Sequence, residues 1–459
     1  MTDLALSSTL SLAATHPDPA FPRFHPRPAQ GWINDPNGVS YINGRYHVFF
    51  QYNPLSARHS QICWGHVSSP DLVRWEEHPV ALSPQPGGPD SAGCWTGVVT
   101  SDDGVPTAAY SGVKDHGGHS QVVIARGSSD LVTWSQDGHV AASMPADPLV
   151  TAVRDPFIFR FNGARFAMQG AGLADGRAAL LLYTVDTLDD WKYQGIWLTT
   201  ADPVAGEHTP AEIWECPQLV QVPTGEWVMM FSLWLSGDDH EHANGVGHLI
   251  GSLTADPKTG LPVFTPVTGG KSDLGRDFYA PQVLQLSTGS TPSALLWGWA
   301  NEGPGRDGRR GRTQVEIDDA GWSGVLTHPR VLSVADGSLV VAPAPEVLAY
   351  RGAAVAMGAA GSVAVPGFAE VLVRGSGAGS GSGSIDLVLG SGPAAQAVYS
   401  GSLAEGEELR IFVDASLVEV YRTGSVATTV RAYPAPGESW ELTLPPGATA
   451  DVWELALPR

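Results

Sequence analysis

Cysteine is nearly absent from this chain. Its 459 residues hold three, Cys63, Cys94 and Cys216, too few for a disulfide framework and without the CxxC spacing of a zinc site. Basic residues are also scarce: 26 Lys and Arg stand against 47 Asp and Glu, a formal net charge of −21. That balance speaks against nucleic acid as a partner, because phosphates need a basic surface, and a solubilising acidic exterior accounts for it. It weighs less against a single phosphate, which one local arginine cluster can hold. No apolar run is long enough to span a membrane. The opening MTDLALSSTLSLAATHPDP has no Lys or Arg before Arg23, so its short apolar run lacks the basic flank of a secretory signal. These absences lead us to expect a cytoplasmic protein.

What is present is glycine, proline and tryptophan. Hydrophobic residues reach 43% against 16% charged, which predicts a globule rather than a disordered chain. The 54 Gly and 36 Pro, spread along the chain with 15 Trp, punctuate many short strands and predict an all-β protein. At this length two domains are expected.

A repeat of about sixty residues organises the first three quarters. Ser-Pro-Asp71-Leu-Val-Arg-Trp75 is echoed by Ser-Ser-Asp130-Leu-Val-Thr-Trp134 and, more faintly, by Leu-Asp-Asp190-Trp191. A second phrase keeps the same step. Asn34-Asp35-Pro36, Arg154-Asp155-Pro156 and Glu215-Cys216-Pro217 each lead into a strand, a tight turn at Gly44, Gly163 or Gly225, and a second strand. Cys94-Trp95-Thr96 and Phe278-Tyr279-Ala280-Pro281 open two degenerate copies. Units this small cannot bury their own faces, and five of them fit the blades of a β-propeller better than one long sandwich. After about residue 330 the phrases fade into alternating strands such as LRIFVD and VEVYR, which suggest a β-sandwich. The expected layout is an N-terminal extension over 1–21, a five-bladed propeller over 22–335 and a sandwich over 336–459. The stretch GSGAGSGSGS over 375–384 is expected to be a long hairpin loop within the sandwich.

Blade symmetry has a chemical consequence. Equivalent positions meet at one end of the central axis, so Asp35, Asp155 and Glu215 should converge there. Asp35 and Asp155 alone have a duller reading, since Asp-Pro is a common turn dipeptide, whereas Glu215, an apolar-flanked carboxylate, already leans toward a site; their coincidence at one blade position favours a site for all three. Glycoside hydrolysis needs two carboxyl groups flanking the scissile bond, one of them protonated, and mutual repulsion within a trio keeps a proton bound. Trp64, Trp95, Tyr279 and Trp299 offer flat faces for sugar C–H groups, while Asn34, Gln51, Thr96 and Arg154 offer hydroxyl-directed hydrogen bonds.

The stretch FHPRPAQGWINDPNG, followed by FFQYNP, CWGHVSSPDLVRW, RDP and EIWECP, with VDASLVEVYRTG and TVRAYP near the end, closely resembles glycoside hydrolase family 32, the invertase, inulinase and levanase group. The resemblance covers about residues 22–459 and implies a five-bladed propeller followed by a β-sandwich. It implies a retaining hydrolase of terminal β-fructofuranosides, with Asp35 as nucleophile, Glu215 as acid/base and Asp155 as transition-state stabiliser beside Arg154. Asn34, Gln51, Trp64, Trp95 and Thr96 would line the fructose pocket, and neither cofactor nor metal is implied. Where the family has Phe/Trp-Ser-Gly-Ser, this chain has Trp95-Thr96-Gly97-Val98, which keeps one hydroxyl and loses the other. The run Asp238-Asp239-His240-Glu241-His242 reads as a solvated loop rather than a metal site. Two rival functions use the same scaffold: a fructosyltransferase, and a non-catalytic fructan-binding propeller. A sucrose-6-phosphate hydrolase would need a basic cluster, for which Arg276, Arg306, Arg309 and Arg310 are the candidates.

Overall fold

The computed structural model describes residues 16–115, 119–237, 242, 244–288, 291–302, 306–375 and 383–458. The sixty-residue period is the period of five antiparallel sheets set in a ring. Blade I runs outward through Gly31–Ile42, Arg45–Asn53, Cys63–Ser69 and Glu76–Leu82. The inner strands of blades II to V are Gly93–Asp102, Val150–Phe161, Ile213–Gln221 and Phe278–Thr288. Each inner strand touches the next, and that of blade V returns to that of blade I. The ring is closed.

The recurring Asp-Leu-x-x-Trp phrase is the turn between the third and fourth strands. Leu72 and Leu131 adopt φ of 64° and 61° there and are buried under the turn. Asp71 and Asp130 accept from the backbone N–H groups of Val73 and Val132, an Asx-type turn. The indoles of Trp134 and Trp191 donate to the carbonyls of Leu131 and Leu188 at 2.9 and 3.0 Å.

Closure needs a piece from the far end of the propeller. Trp322–Ser323, in a long connection of blade V, pairs parallel to Gly31 and Trp32 on the free edge of blade I. Buried Arg27 fixes that seam by donating to the carbonyls of Pro28 at 2.8 Å, Gly31 at 3.2 Å, Ser323 at 3.3 Å and Gly324. Gly324 has φ 74°, and a Cβ there would meet the Ile33 carbonyl at 1.9 Å. Only glycine fits.

Arg330–Ala335 and Ser338–Pro343 pair with each other and, through Leu295 and Val331, with blade V. A division at 335/336 falls inside that hairpin, and we place the end of the propeller after Pro343 instead. Beyond it, Trp440–Leu455 serves two sheets. Its first half pairs with Ile385–Leu389 and its second with Phe368–Arg374, while Arg351–Val365 runs along both. Strands that pass between sheets make the corner of a sandwich, and Val371, Ile411, Leu387 and Leu442 share its core. Most of the glycine-rich stretch expected to be a hairpin loop, residues 376–382, lies outside the described residues; the strands on either side of it, Phe368–Arg374 and Ile385–Leu389, pair with different halves of Trp440–Leu455.

Buried charges join the two parts. Arg330 donates to Asp273 at 2.8 Å and to Glu419 at 3.1 Å. Asp414 accepts from the backbone N–H groups of Arg23 and Phe24 and lies 2.6 Å from His25 Nδ1. Burial alone would keep His25 neutral, but hydrogen bonds to Asp414 and Glu419 outweigh it and push its pKa up to about 9. Among the described residues no helix is long and apolar enough to cross a membrane.

Candidate active site

All five inner strands break register at the same height. Two residues oppose one at Asn34–Asp35, Trp95–Thr96, Asp155–Pro156, Cys216–Pro217 and Ala280–Pro281. Such bulges re-aim side chains and tolerate proline inside a sheet. In blades III to V the first bulged residue is left-handed: Asp155, Cys216 and Ala280 have φ of 58°, 48° and 48°. Each N–H freed in this way crosses to the preceding blade. Asp155 donates to Ser111 Oγ at 2.8 Å, Cys216 to Asp155 Oδ2 at 2.8 Å and Ala280 to Ser232 Oγ at 2.9 Å. The equivalent of Asp155 is therefore Cys216, and Glu215 stands one residue earlier, level with Arg154 and Tyr279. The expectation of equal blade positions is corrected in two places: Glu215 precedes its bulge, Asp155 opens its own, and Asp35 is the second residue of its own.

A cavity of about 830 Å³ opens over these bulges. Asp35 accepts from Asn34 Nδ2 at 3.1 Å through Oδ1, and from Gln51 Nε2 at 3.0 Å and Thr96 Oγ1 at 2.5 Å through Oδ2. The Cys216 thiol lies 3.5 Å from Asp35 Oδ2 and 3.6 Å from Asp155 Oδ2, so it stands between the two carboxyl groups. Glu215 accepts from Arg154 Nη1 at 2.9 Å and from the Tyr279 hydroxyl at 2.8 Å. Burial raises the pKa of Asp35, and the bonds from Thr96, Cys216 and Asn34 pull against that rise. Asp155 is pushed up to about 8, first by burial and then by the neighbouring charges of Glu215 and Asp35. Asp155 therefore retains its proton through neutral pH.

The cavity brings together Asn34, Asp35, Gln51, Trp95, Arg154, Asp155, Glu215, Tyr279 and Trp299. Two expected sugar contacts are not on its wall. Trp64 is fully buried with Phe49, Cys94 and Tyr110 between blades I and II, because the third strand of a blade faces its neighbour and not the axis. It supports the site from behind, donating to the Trp95 carbonyl at 3.0 Å. Thr96 is likewise buried and turns its hydroxyl to Asp35 rather than to the cavity. Residues not anticipated also line the wall: Trp32, His59, Trp234, His242 and, from the connection in blade V, Asn301, Glu302 and Arg312. Trp32 stands two residues before Asn34 on the same strand face, a period that could have revealed it. The others sit in loops or strand ends without a repeat phrase. Of the acidic run near 240, residues 238–241 lie outside the described set, and His242 packs edgewise on Tyr279 and Trp299.

Arg276, Arg309 and Arg310 are absent from the cavity wall. They pair with Asp307, Asp277 and Glu438 respectively, and nothing is described of the Arg306 side chain.

The glycosyl hydrolases family 32 N-terminal domain profile matches residues 25–343, and the family's C-terminal profile matches 382–452. A raffinose invertase of Escherichia coli is 31% identical over 354 residues, 76% of this chain and 70% of that protein. A sucrose-6-phosphate hydrolase of Bacillus subtilis is 28% identical over 92% of this chain and 90% of its own. Among solved structures, a β-fructofuranosidase of Bombyx mori superposes with a TM-score of 0.78 at 23% identity, covering 98% of this chain and 96% of that one. Fructan 1-exohydrolase IIa of Cichorium intybus gives 0.76 at 20% identity, covering 96% and 98%. At those identities the likeness shows the fold: a five-bladed propeller with a C-terminal sandwich.

Proposed function

The chain belongs to glycosyl hydrolases family 32 and is a glycosidase, and we propose that it releases terminal β-D-fructofuranosyl residues with retention of configuration. The observation that carries this reading is the different surroundings of Asp35 and Glu215. Asp35 receives two amides, a hydroxyl and a thiol, donors that favour an anionic nucleophile despite burial. Glu215 instead sits between the Arg154 guanidinium and the Tyr279 hydroxyl, beside Asp155, which holds a proton next to it because burial and the neighbouring carboxylates push its pKa up to about 8.

In this proposal Asp35 attacks the anomeric C2 of fructose while Glu215 gives its proton to the departing oxygen. A covalent fructosyl-enzyme forms and the leaving alcohol departs neutral. Glu215 then takes a proton from water, whose oxygen attacks C2 and frees Asp35. Asp155 accepts from fructose hydroxyls, and Trp95, Tyr279 and Trp299 supply apolar faces to the ring. The paired arginines away from the cavity favour unphosphorylated donors such as sucrose, fructooligosaccharides or fructans over sucrose 6-phosphate. A cytoplasmic setting is part of the reading, in keeping with three cysteines that are all free thiols.

Asp35→Ala and Glu215→Ala should each lower kcat on sucrose by roughly four orders of magnitude, with the thermal midpoint little changed. Undiminished turnover in either variant rejects the assignment. Product analysis at high sucrose should show free glucose and fructose in near-equal amounts; mostly oligofructosides would move the reading to a transferase.

A further inference from the structure

Gln51 has no freedom in how its amide is used. Its two amide hydrogens go to Asp35 Oδ2 at 3.0 Å and to Thr96 Oγ1 at 2.7 Å. The Thr96 hydroxyl hydrogen is itself directed at Asp35, so Thr96 can only accept from Gln51. The Gln51 carbonyl must then turn the other way, where His59 Nε2 stands at 3.3 Å. Rotating the amide by half a turn would set a carbonyl against the Asp35 carboxylate. Asn34, the other amide on Asp35, has the same arrangement: its carbonyl accepts from Trp32 Nε1 at 2.8 Å. Each amide that faces Asp35 thus has a ring N–H behind it.

The position of His59 is built rather than incidental. It lies in the loop between Arg45–Asn53 and Cys63–Ser69, and Asn53 Nδ2 pins that loop on both sides of it, at the Arg58 carbonyl (2.9 Å) and Ser60 Oγ (3.1 Å). Its ring stands edgewise to Trp32 at 6.0 Å and to Trp95 at 5.6 Å. It is solvent-exposed at the cavity rim, so no demand of core packing explains it.

We propose that His59 is a positioning residue for the nucleophile. Its Nε2–H holds the Gln51 carbonyl and so keeps the amide N–H on Asp35. The inference rests on Asp35 being the nucleophile. Both the imidazolium and the neutral Nε2–H tautomer satisfy the contact; the Nδ1–H tautomer does not.

The test is steady-state kinetics on sucrose with His59→Phe, His59→Gln, Gln51→Ala and the double variant Gln51→Ala/His59→Phe. Phenylalanine keeps the ring edges against Trp32 and Trp95 and removes the donor. His59→Phe should lower kcat roughly ten- to a hundredfold with KM within about twofold and the melting temperature unchanged. His59→Gln, which restores an N–H of suitable reach, should recover most of the loss. In the Gln51→Ala background His59→Phe should add nothing. An equal loss in both backgrounds, a loss confined to KM, or no rescue by glutamine would overturn the proposal. Wild-type protein that fails to release fructose would instead refute the proposed function, before any variant is compared.

Discussion

Asp155 is where residue-level chemistry and stability pull against each other. It is 4% exposed, left-handed in backbone, and its pKa is pushed up to about 8 by burial and by Glu215 and Asp35. A carboxyl raised in this way holds its proton more tightly folded than unfolded. Its contribution to stability is full below about pH 4 and is lost as pH rises through about 8. Asp155→Asn should therefore raise the melting temperature at pH 8, with the gain shrinking toward pH 4.5, while fructose release collapses. Calorimetry across that range checks it, and identical pH profiles for both proteins would show that no buried charge is being relieved. The three carboxylates were legible in the sequence because Asp-Pro and Glu-Cys-Pro recur at the blade period. Trp64 misled because nothing in CWGH tells which face of a third strand meets the axis. His59 was invisible, since its placement depends on Asn53 folding a loop that carries no periodic signal.

At the level of elements, the bulges tie chemistry to blade packing. Gly170 sits opposite Arg154 in blade III, and a Cβ there would meet the Trp214 carbonyl of blade IV at 1.9 Å and Glu215 Cα at 3.5 Å. Gly170→Ala should push the Glu215 strand outward, costing about 1–3 kcal/mol of stability and lowering kcat at least tenfold. Denaturant unfolding beside kinetics reads both, and unchanged values in both would show the blades free to slide. Strands and their hairpins were readable from alternation and from Gly44, Gly163 and Gly225. Trp322–Ser323 was not, because two residues are too few to show a period. Trp440–Leu455 is not readable as one strand, because Pro445-Pro446-Gly447 interrupts its alternation. In the sandwich it marks the bend where one strand leaves the first sheet for the second.

Across the whole molecule, two domains were expected from length and from the fading repeat, but the buried ion network that joins them leaves no pattern in one dimension. His25 is raised to about 9 by its carboxylate partners, so its contribution is full below pH 6.5 and is lost as pH climbs through 9. Glu302, buried but paired with Arg312 and Arg431, is lowered to about 2; its contribution holds above its unfolded pKa and is lost as pH falls through 2. Stability should therefore be greatest in the weakly acidic to neutral range. His25→Gln should cost about 3–5 kcal/mol below pH 6.5 and flatten the decline between 6.5 and 9. Melting curves at pH 6 and 9 decide this, and an undiminished slope in the variant would assign the decline elsewhere.

The seam held by Arg27 also sets an order of events in the cell. Trp32 and its partner Ser323 lie some 290 residues apart in the chain, a stretch that takes a ribosome roughly 15–60 s to add. For that time the growing propeller is an open arc, with the raw edge of blade I waiting for a strand not yet translated.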